Sequence, residues 1–265
     1  MNKCKFCDNN LSIFSESYLQ CTHCDILISS LPEGSYDAKY YYVENYRSKE
    51  TQFRSKQLFK YFKQYIGEKK CLDFGCNDGS YVLYSRAKGI DCIGIDINKY
   101  VMAKNKSHSP DIFFHPDEIR SKFSCVTAFD VIEHFDDINV FFHEIERFVD
   151  STGMLIFTTP NVHSKWIKIY KKGWHGYGIP KYHRYIFSVG FLKNILMAKG
   201  FNVDAVFTVA PIDKNGFSLL VRSGYRLKKK KIEKLLLLPV AIIKYLLGNF
   251  KNGQEDTICI VARKK

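Results

Sequence analysis

Residues 71–80 read Cys71-Leu72-Asp73-Phe74-Gly75-Cys76-Asn77-Asp78-Gly79-Ser80. A short strand from Lys70 to Phe74, apolar except for Asp73, runs into a turn with glycines at 75 and 79, and a helix begins near Ser80. Glycine at these two positions lets the backbone approach a ligand where a Cβ would stand in the way. The turn amides and the helix start together offer a pocket for an anionic group. The apolar run Cys92-Ile93-Gly94-Ile95 then closes on Asp96. An acid at the end of a second strand is placed to bind ribose hydroxyls. Strand, glycine turn, helix, strand and acid predict a nucleoside-cofactor site. The dinucleotide spacing G-x-G-x-x-G is not met, since Asn77 takes the middle glycine position, and this weakens a pyrophosphate reading.

Three more segments follow in order: Gly94-Ile95-Asp96-Ile97, then Phe129-Asp130-Val131-Ile132-Glu133-His134, then Phe157-Thr158-Thr159-Pro160-Asn161. With Asp73, Gly75, Asn77 and Gly79 as the first motif, the chain resembles the class I S-adenosylmethionine-dependent methyltransferases over roughly residues 45–210 and the final strand. It departs from their pattern at Asn77, and its Gly-Cys-Asn-Asp-Gly turn resembles variants in sugar-modifying members. The resemblance implies an α/β fold, a Rossmann-like seven-stranded sheet with helices on both faces. It implies S-adenosylmethionine as cofactor, bound by Asp73, Gly75, Cys76, Asn77, Gly79, Asp96, Ile97, Phe129 and Asp130. Asp117, in the turn Pro116-Asp117-Glu118, is the implied neighbour of the adenine ring.

A chain of 265 residues accommodates one large α/β domain and a small appendage. The appendage is read at residues 1–30, where Cys4-Lys5-Phe6-Cys7 and Cys21-Thr22-His23-Cys24 have zinc-ribbon spacing. Four thiolates would close a tetrahedral site, so the expected ion is structural Zn2+ and not a catalytic metal; the alternative is free thiols in two coincidental pairs. His23 is read as exposed. Of the other cysteines, Cys71, Cys92, Cys125 and Cys259 fall inside predicted strands as small core residues. Residues 31–46 carry Tyr36, Tyr40, Tyr41, Tyr42 and Tyr46, an aromatic seam between ribbon and main domain or a lid over the site. The methyltransferase domain is read at 47–265.

Periodicity places helices at 47–67, at Lys99 to Lys106, at 136–149 and at Val189 to Lys199. It places strands at Asp111 to His115, Cys125 to Phe129, Met154 to Thr158, Phe201 to Val209 and Thr257 to Ala262. An insertion at about 211–250 holds Arg226-Leu227-Lys228-Lys229-Lys230-Lys231 and the apolar run Leu235 to Leu247. A basic cluster beside an apolar helix is a membrane-surface pattern, and also that of a packed helix pair with a solvated flank. The net charge of +13 fits nucleic acid, an anionic membrane, an anionic substrate or plain solubility. The apolar start of a signal peptide is missing after Met1-Asn2-Lys3-Cys4, and Leu235 to Ile243 is too short to span a bilayer. The expectation is a cytoplasmic protein, with residues 226–247 as the segment able to touch the inner membrane face.

Methyl transfer from a sulfonium requires an acceptor held in line, and a hydroxyl acceptor gains from a base. His134, at the end of the fourth strand, is the first base candidate, although in similar methyltransferases this Glu-His pair often supports the cofactor pocket instead. His183 and His175 compete with it, because Tyr182 to Ser188 resembles a segment placed over the substrate pocket in related methyltransferases. Trp166, Trp174 and Tyr177 are candidates to stack on an acceptor ring. The Asn/Asp-Pro-Pro-Tyr/Phe motif of base amine methylation does not occur, nor does a Pro-Cys nucleophile. No spaced carboxylate set resembles a catechol-type magnesium site, although Asp130, Asp136 and Asp137 leave room for a metal. The sequence reading is metal-independent O-methylation of a sugar or glycan-type small molecule, nucleotide- or lipid-linked. Sugar C-methylation, RNA methylation and a non-catalytic interaction role are the alternatives.

Overall fold

The computed structural model describes residues 3–32, 47–67, 69–170, 174, 182–209 and 253–265. Three short strands open the chain, β1 (Ser12–Ile13), β2 (Tyr18–Cys21) and β3 (Ile26–Ser29). Helix α1 (Lys49–Ile66), strand β4 (Cys71–Phe74), helix α2 (Ser80–Arg86), strand β5 (Cys92–Ile95), helix α3 (Lys99–His108) and strand β6 (Phe113–Phe114) follow. Then come β7 (Phe123–Phe129), α4 (Ile138–Phe148), β8 (Val149–Pro160), α5 (Lys165–Tyr170), β9 (Tyr185–Ile186), α6 (Val189–Ala198), β10 (Phe201–Val209) and β11 (Thr257–Lys264).

Seven strands form one sheet in the order β10-β11-β8-β7-β4-β5-β6. The pairs β8-β7, β7-β4, β4-β5 and β5-β6 are parallel, and β11 runs antiparallel to both β8 and β10. Alternation of side chains sorts the strand residues onto two faces. Leu72, Leu155, Phe157, Ile258 and Ile260 join Phe141, Ile145, Leu192 and Leu196 of α4 and α6 in one cluster. Cys71, Met154, Ile156, Cys259 and Val261 join Leu58, Phe62 and Ile66 of α1 and Val101 of α3 in the other. Both faces are covered, which is why the parallel strands read as continuous apolar runs. The α/β fold with a seven-stranded, mostly parallel sheet and helices on both faces is therefore the one expected.

Helix starts follow local capping chemistry. Ser48, Asn98, Asp137 and Ser188 each accept a hydrogen bond from an amide in the first turn of α1, α3, α4 and α6. The strand expected over 111–115 contracts to Phe113–Phe114, because Pro116 opens a 3-10 turn and has no amide to extend an edge strand. The fifth main strand is longer than expected, at Val149–Pro160. Cys71, Cys92, Cys125 and Cys259 are buried free thiols.

The small N-terminal sheet has a fourth strand that local patterning did not reveal. Its order is β1-β2-β3-β9, with Leu27 opposite Ile186 and Ile28 opposite Tyr185. Phe6 packs edge-on to Phe191 of α6 at 5.0 Å, and Cys4, Cys21 and Ile26 belong to the main core cluster. Trp174 is fully buried with Tyr18, Leu27 and Ile186, so it is a core residue where a ring-stacking platform was expected. Trp166 packs at the edge of the same cluster. Tyr177, the tyrosines at 36–46 and the insertion at 211–250 lie outside the described residues. No helix among the described residues is long and apolar enough to cross a membrane.

The indole of Trp174 donates to Asp256 at 2.8 Å, and Ser164 donates to the same carboxyl oxygen. Burial pushes the Asp256 carboxyl up to about 7, against the opposing hydrogen bonds from Ser164 and Trp174. The folded chain thus holds a proton that the unfolded chain releases near pH 4, so folding stability falls as pH rises from about 4 to about 7 and levels off above that. Asp256→Asn keeps an acceptor oxygen and removes the titration. Chemical denaturation is expected to show a flatter pH profile for this variant and a gain on the order of 2 kcal/mol at pH 8. Parallel profiles for the two proteins would refute the assignment.

Candidate active site

The chain leaves β4 toward β5 on one side, and β7 flanks β4 on the other, so the carboxyl end of β4 is the topological switch point where α/β sheets bind ligands. A cavity of about 930 Å³ opens there, bordered by Asp73 to Asp78, Asp96, Ile97, Phe129, Asp130 and His134. Its size is that of a site for a drug-sized ligand or larger.

The glycine turn is held from below by its neighbours. Gly75 and Cys76 both donate backbone N–H bonds to the Ile95 carbonyl at 2.9 Å. Asn77 donates its amide to Asp96 Oδ2 at 3.0 Å, while Asp96 Oδ1 accepts from the Asn98 amide at 2.9 Å. Asp78 caps Ser80 and accepts from the Arg47 amide. Gly75, Asn77 and Gly79 all have positive φ, at 75°, 45° and 72°. Asparagine is among the few residues that enter this region readily, so the departure from glycine at 77 preserves the turn. A Cβ on Gly79 would lie 2.3 Å from Phe113 Cζ, and one on Gly75 would lie 2.7 Å from Val131 Cγ2. Burial holds the Asp73 carboxyl well above its usual range, against a 2.7 Å hydrogen bond from Thr127. Asp96 is also raised by burial, with the Asn98 and Asn77 amides opposing.

Of the residues expected to hold the cofactor, Asp73, Gly75, Cys76, Asn77, Asp96, Ile97, Phe129 and Asp130 line the cavity. Gly79 starts α2 behind it. Asp117 stands outside: the 3-10 turn begun by Pro116 leaves its side chain exposed and paired with His115 at 3.3 Å, and Pro116 reaches the cavity instead. Asp130 is in the left-handed region at φ 55° and is committed to protein partners. It pairs with Arg54 and accepts from Thr158 at 2.7 Å. Burial would raise its carboxyl, but the Arg54 guanidinium and the Thr158 hydroxyl outweigh that and hold it below the ordinary range.

Helix α1, which periodicity placed without giving it a part in the site, supplies a wall. Thr51, Arg54, Ser55 and Leu58 face the cavity along one stripe. The i, i+3, i+4, i+7 spacing of these residues was the available signal. Asp136, Asp137 and Val140 complete the opposite rim.

The base candidates separate. His134 lines the cavity, and its Nδ1 donates to the Tyr182 carbonyl at 3.1 Å, since a carbonyl can only accept. Burial lowers its pKa below the usual value against that bond, so the ring is neutral at neutral pH. His183 stands perpendicular to it, with ring centroids 4.7 Å apart. Backbone contacts hold His183 there: Arg184 N–H donates to the Glu133 carbonyl at 2.7 Å, and Tyr18 donates to the His183 carbonyl. His163 faces away and meets Asp25 at 2.6 Å. His175 lies outside the described residues. Asn161, in the last motif, is a junction: its side chain donates to the Gly253 and Glu255 carbonyls.

The ribbon cysteines meet as a cluster. The Sγ atoms of Cys4, Cys7, Cys21 and Cys24 all lie within 4.8 Å of one another, with Cys4–Cys24 at 3.8 Å and Cys7–Cys21 at 3.5 Å. Thiolates around tetrahedral zinc, each about 2.3 Å from the ion, stand about 3.8 Å apart. Asp8 and Asp25, one residue past each Cys-x-x-Cys, share positive φ and turn the two knuckles alike. The donor set fits a closed zinc site, and His23 stays exposed beside it.

A family profile described as a methyltransferase domain matches residues 46–206. Among curated proteins no match is found. Solved structures with a similar fold include a SAM-dependent methyltransferase from Archaeoglobus fulgidus, 19% identical, with a TM-score of 0.52 over 86% of this chain and 100% of that one. Magnesium protoporphyrin IX methyltransferase from Synechocystis, solved with bound SAH, is 13% identical with a TM-score of 0.50 over 81% and 84%. A cyclopropane synthase from Mycobacterium tuberculosis is 16% identical with a TM-score of 0.51 over 78% and 84%. At these identities the likeness is one of fold, while the profile spans more than half of the residues and includes the cavity-lining turn, Asp96 and His134. The chain belongs to the methyltransferase-domain family.

Proposed function

We propose that the chain transfers a methyl group from S-adenosylmethionine to a hydroxyl of a sugar or glycan-type small molecule, with the ribbon held by structural Zn2+. The observation that carries the cofactor reading is the left-handed turn over Gly75, Asn77 and Gly79, tied through the Asn77 amide to Asp96 at the rim of the cavity. Asp96 keeps lone pairs for ribose hydroxyls beyond its two amide bonds. Asp73, raised by burial, gains from a cationic ligand nearby, as a sulfonium donor would be.

The acceptor reading rests on the far wall. His134, Asp136 and Asp137 give it hydrogen-bonding groups beside the Arg54–Asp130 pair, with Phe135 and Val140 as the apolar part. Such a wall suits a polyhydroxylated ring better than a flat hydrophobic one. Contact of residues 226–247 with an anionic membrane, which would suit a lipid-linked acceptor, belongs to the same proposal.

The test is calorimetric titration of the zinc-loaded protein with S-adenosylmethionine, beside the Asp96→Ala variant. A Kd on the order of 10 µM is expected for the parent. The variant is expected to bind at least about 30-fold more weakly, because it loses a charged acceptor and the tie to the Asn77 amide. A parent that does not bind the donor removes the proposal. A positive result leads to a screen of nucleotide sugars.

A further inference from the structure

Three side chains unite behind the acceptor wall in a way the donor site does not use. Glu133 and His134 lie in the 3-10 turn Ile132–His134 that follows β7, and His183 comes from the segment leading into β9. One ligand atom from each lies within 4.8 Å of the other two. Glu133 is fully buried; its Oε2 accepts from the Thr159 hydroxyl at 2.9 Å, whereas Oε1 has no partner among the described residues. A buried carboxyl oxygen left without a partner is costly and calls for a group that would satisfy it. The ring of His134 is held in place as well, with Nδ1 donating to the Tyr182 carbonyl beside His183. A backbone carbonyl behind one ring nitrogen and a hydroxyl behind the carboxylate are the supports that metal ligands have in proteins. Asp130, the neighbouring acid, is already engaged by Arg54 and Thr158.

We propose that Glu133, His134 and His183 bind a divalent cation of the Mn2+, Co2+ or Zn2+ class at the cavity wall, and that this cation takes the acceptor hydroxyl of the methyl-transfer reaction. Two imidazoles and one carboxylate select such ions over magnesium or calcium, which prefer all-oxygen sites. Ligand bonds of about 2.0–2.2 Å need donor atoms about 3–4 Å apart, so small side-chain rotations close the set. Three protein ligands leave positions open toward the cavity, which His134 borders. The role in catalysis rests on the methyltransferase reading above and replaces the metal-independent transfer expected from sequence. The acceptor oxygen binds the cation, and its acidified proton passes to solvent. An oxygen lone pair then forms the O–CH3 bond as the CH3–S bond breaks, its pair returning to sulfur, so that the sulfonium becomes a neutral thioether.

The test is Mn2+ titration of the zinc-loaded protein followed by electron paramagnetic resonance, with His183→Ala and Glu133→Gln in parallel. Thiolates hold zinc against manganese, so the ribbon does not contribute to the count. One Mn2+ per chain is expected, bound at least about 10-fold more weakly in either variant, the loss of roughly 1.4 kcal/mol. His183 is only half-buried, and Glu133→Gln is isosteric, so both variants are expected to keep the parent's circular dichroism. No binding at millimolar Mn2+, or binding unchanged in both variants, overturns the cation site. S-adenosylmethionine titration of the same samples separates the two ideas: donor binding without Mn2+ binding defeats the cation site and spares the methyltransferase reading. Mn2+ binding without donor binding does the reverse.

Discussion

Gly75→Ala is expected to weaken S-adenosylmethionine binding by a few hundred-fold. Two costs add. An alanine held at φ 75° pays about 1–2 kcal/mol for the left-handed conformation. Its Cβ would also sit 2.7 Å from Val131 Cγ2 and 3.4 Å from Cγ1, an overpacking cost of about 1–3 kcal/mol. Relief by shifting the turn breaks the bonds from Gly75 and Cys76 to the Ile95 carbonyl and moves Asn77 off Asp96. The steric part can be isolated. Val131→Ala removes both γ carbons and leaves Val131 Cβ at 3.7 Å, an ordinary contact. The double variant Gly75→Ala, Val131→Ala is therefore expected to regain about 10-fold or more of the lost affinity while the conformational cost persists. Titration calorimetry on the parent, both single variants and the double variant gives the whole cycle. A double variant no better than Gly75→Ala would show that the contact with Val131 is not what reserves the position for glycine.

The second large effect is expected from Cys21→Ser, or from chelating the Zn2+ proposed for the ribbon. Metal binding supplies folding free energy to small sites of this kind. Here the loss should spread, because β3 is the strand on which β9 is laid, and Ser29 N–H donates to the Arg184 carbonyl at 2.8 Å. Hydrogen-exchange mass spectrometry is expected to show residues 183–188 losing protection along with residues 4–29, while residues 71–96 stay protected and donor affinity changes less than about threefold. Retained protection at 183–188 in metal-free protein would mean that the segment is held by the main domain alone.

The main sheet was legible because both of its faces are buried, so that the parallel strands read as uninterrupted apolar runs. Strand β9 was not, since two residues, Tyr185–Ile186, carry no period, and their partner Leu27 is far away in sequence. The donor half of the site was readable from one contiguous stretch, residues 71–96, where spacing encodes geometry directly. The rest of the cavity was legible only in part: His134 and His183 stood out in the sequence, but the α1 stripe that lines the cavity and the approach of His183 to His134 join segments far apart in the chain. Arg54 gave no hint of its partner Asp130, since an arginine on a helix face reads as solvated until the tertiary contact is known. Asp117 illustrates the opposite failure: an acid at a plausible turn is exposed because Pro116 sets the direction of the chain there.

The pairing of Leu27 with Ile186 also sets an order of events during synthesis. The ribbon cysteines leave the ribosome well before Tyr185 and Ile186, so β3 must wait, with one edge open, until the distant β9 has been translated. An open edge strand invites pairing with other chains. The newborn protein is therefore most prone to aggregation in that interval, even though the glycine turn forms from a later, self-contained stretch.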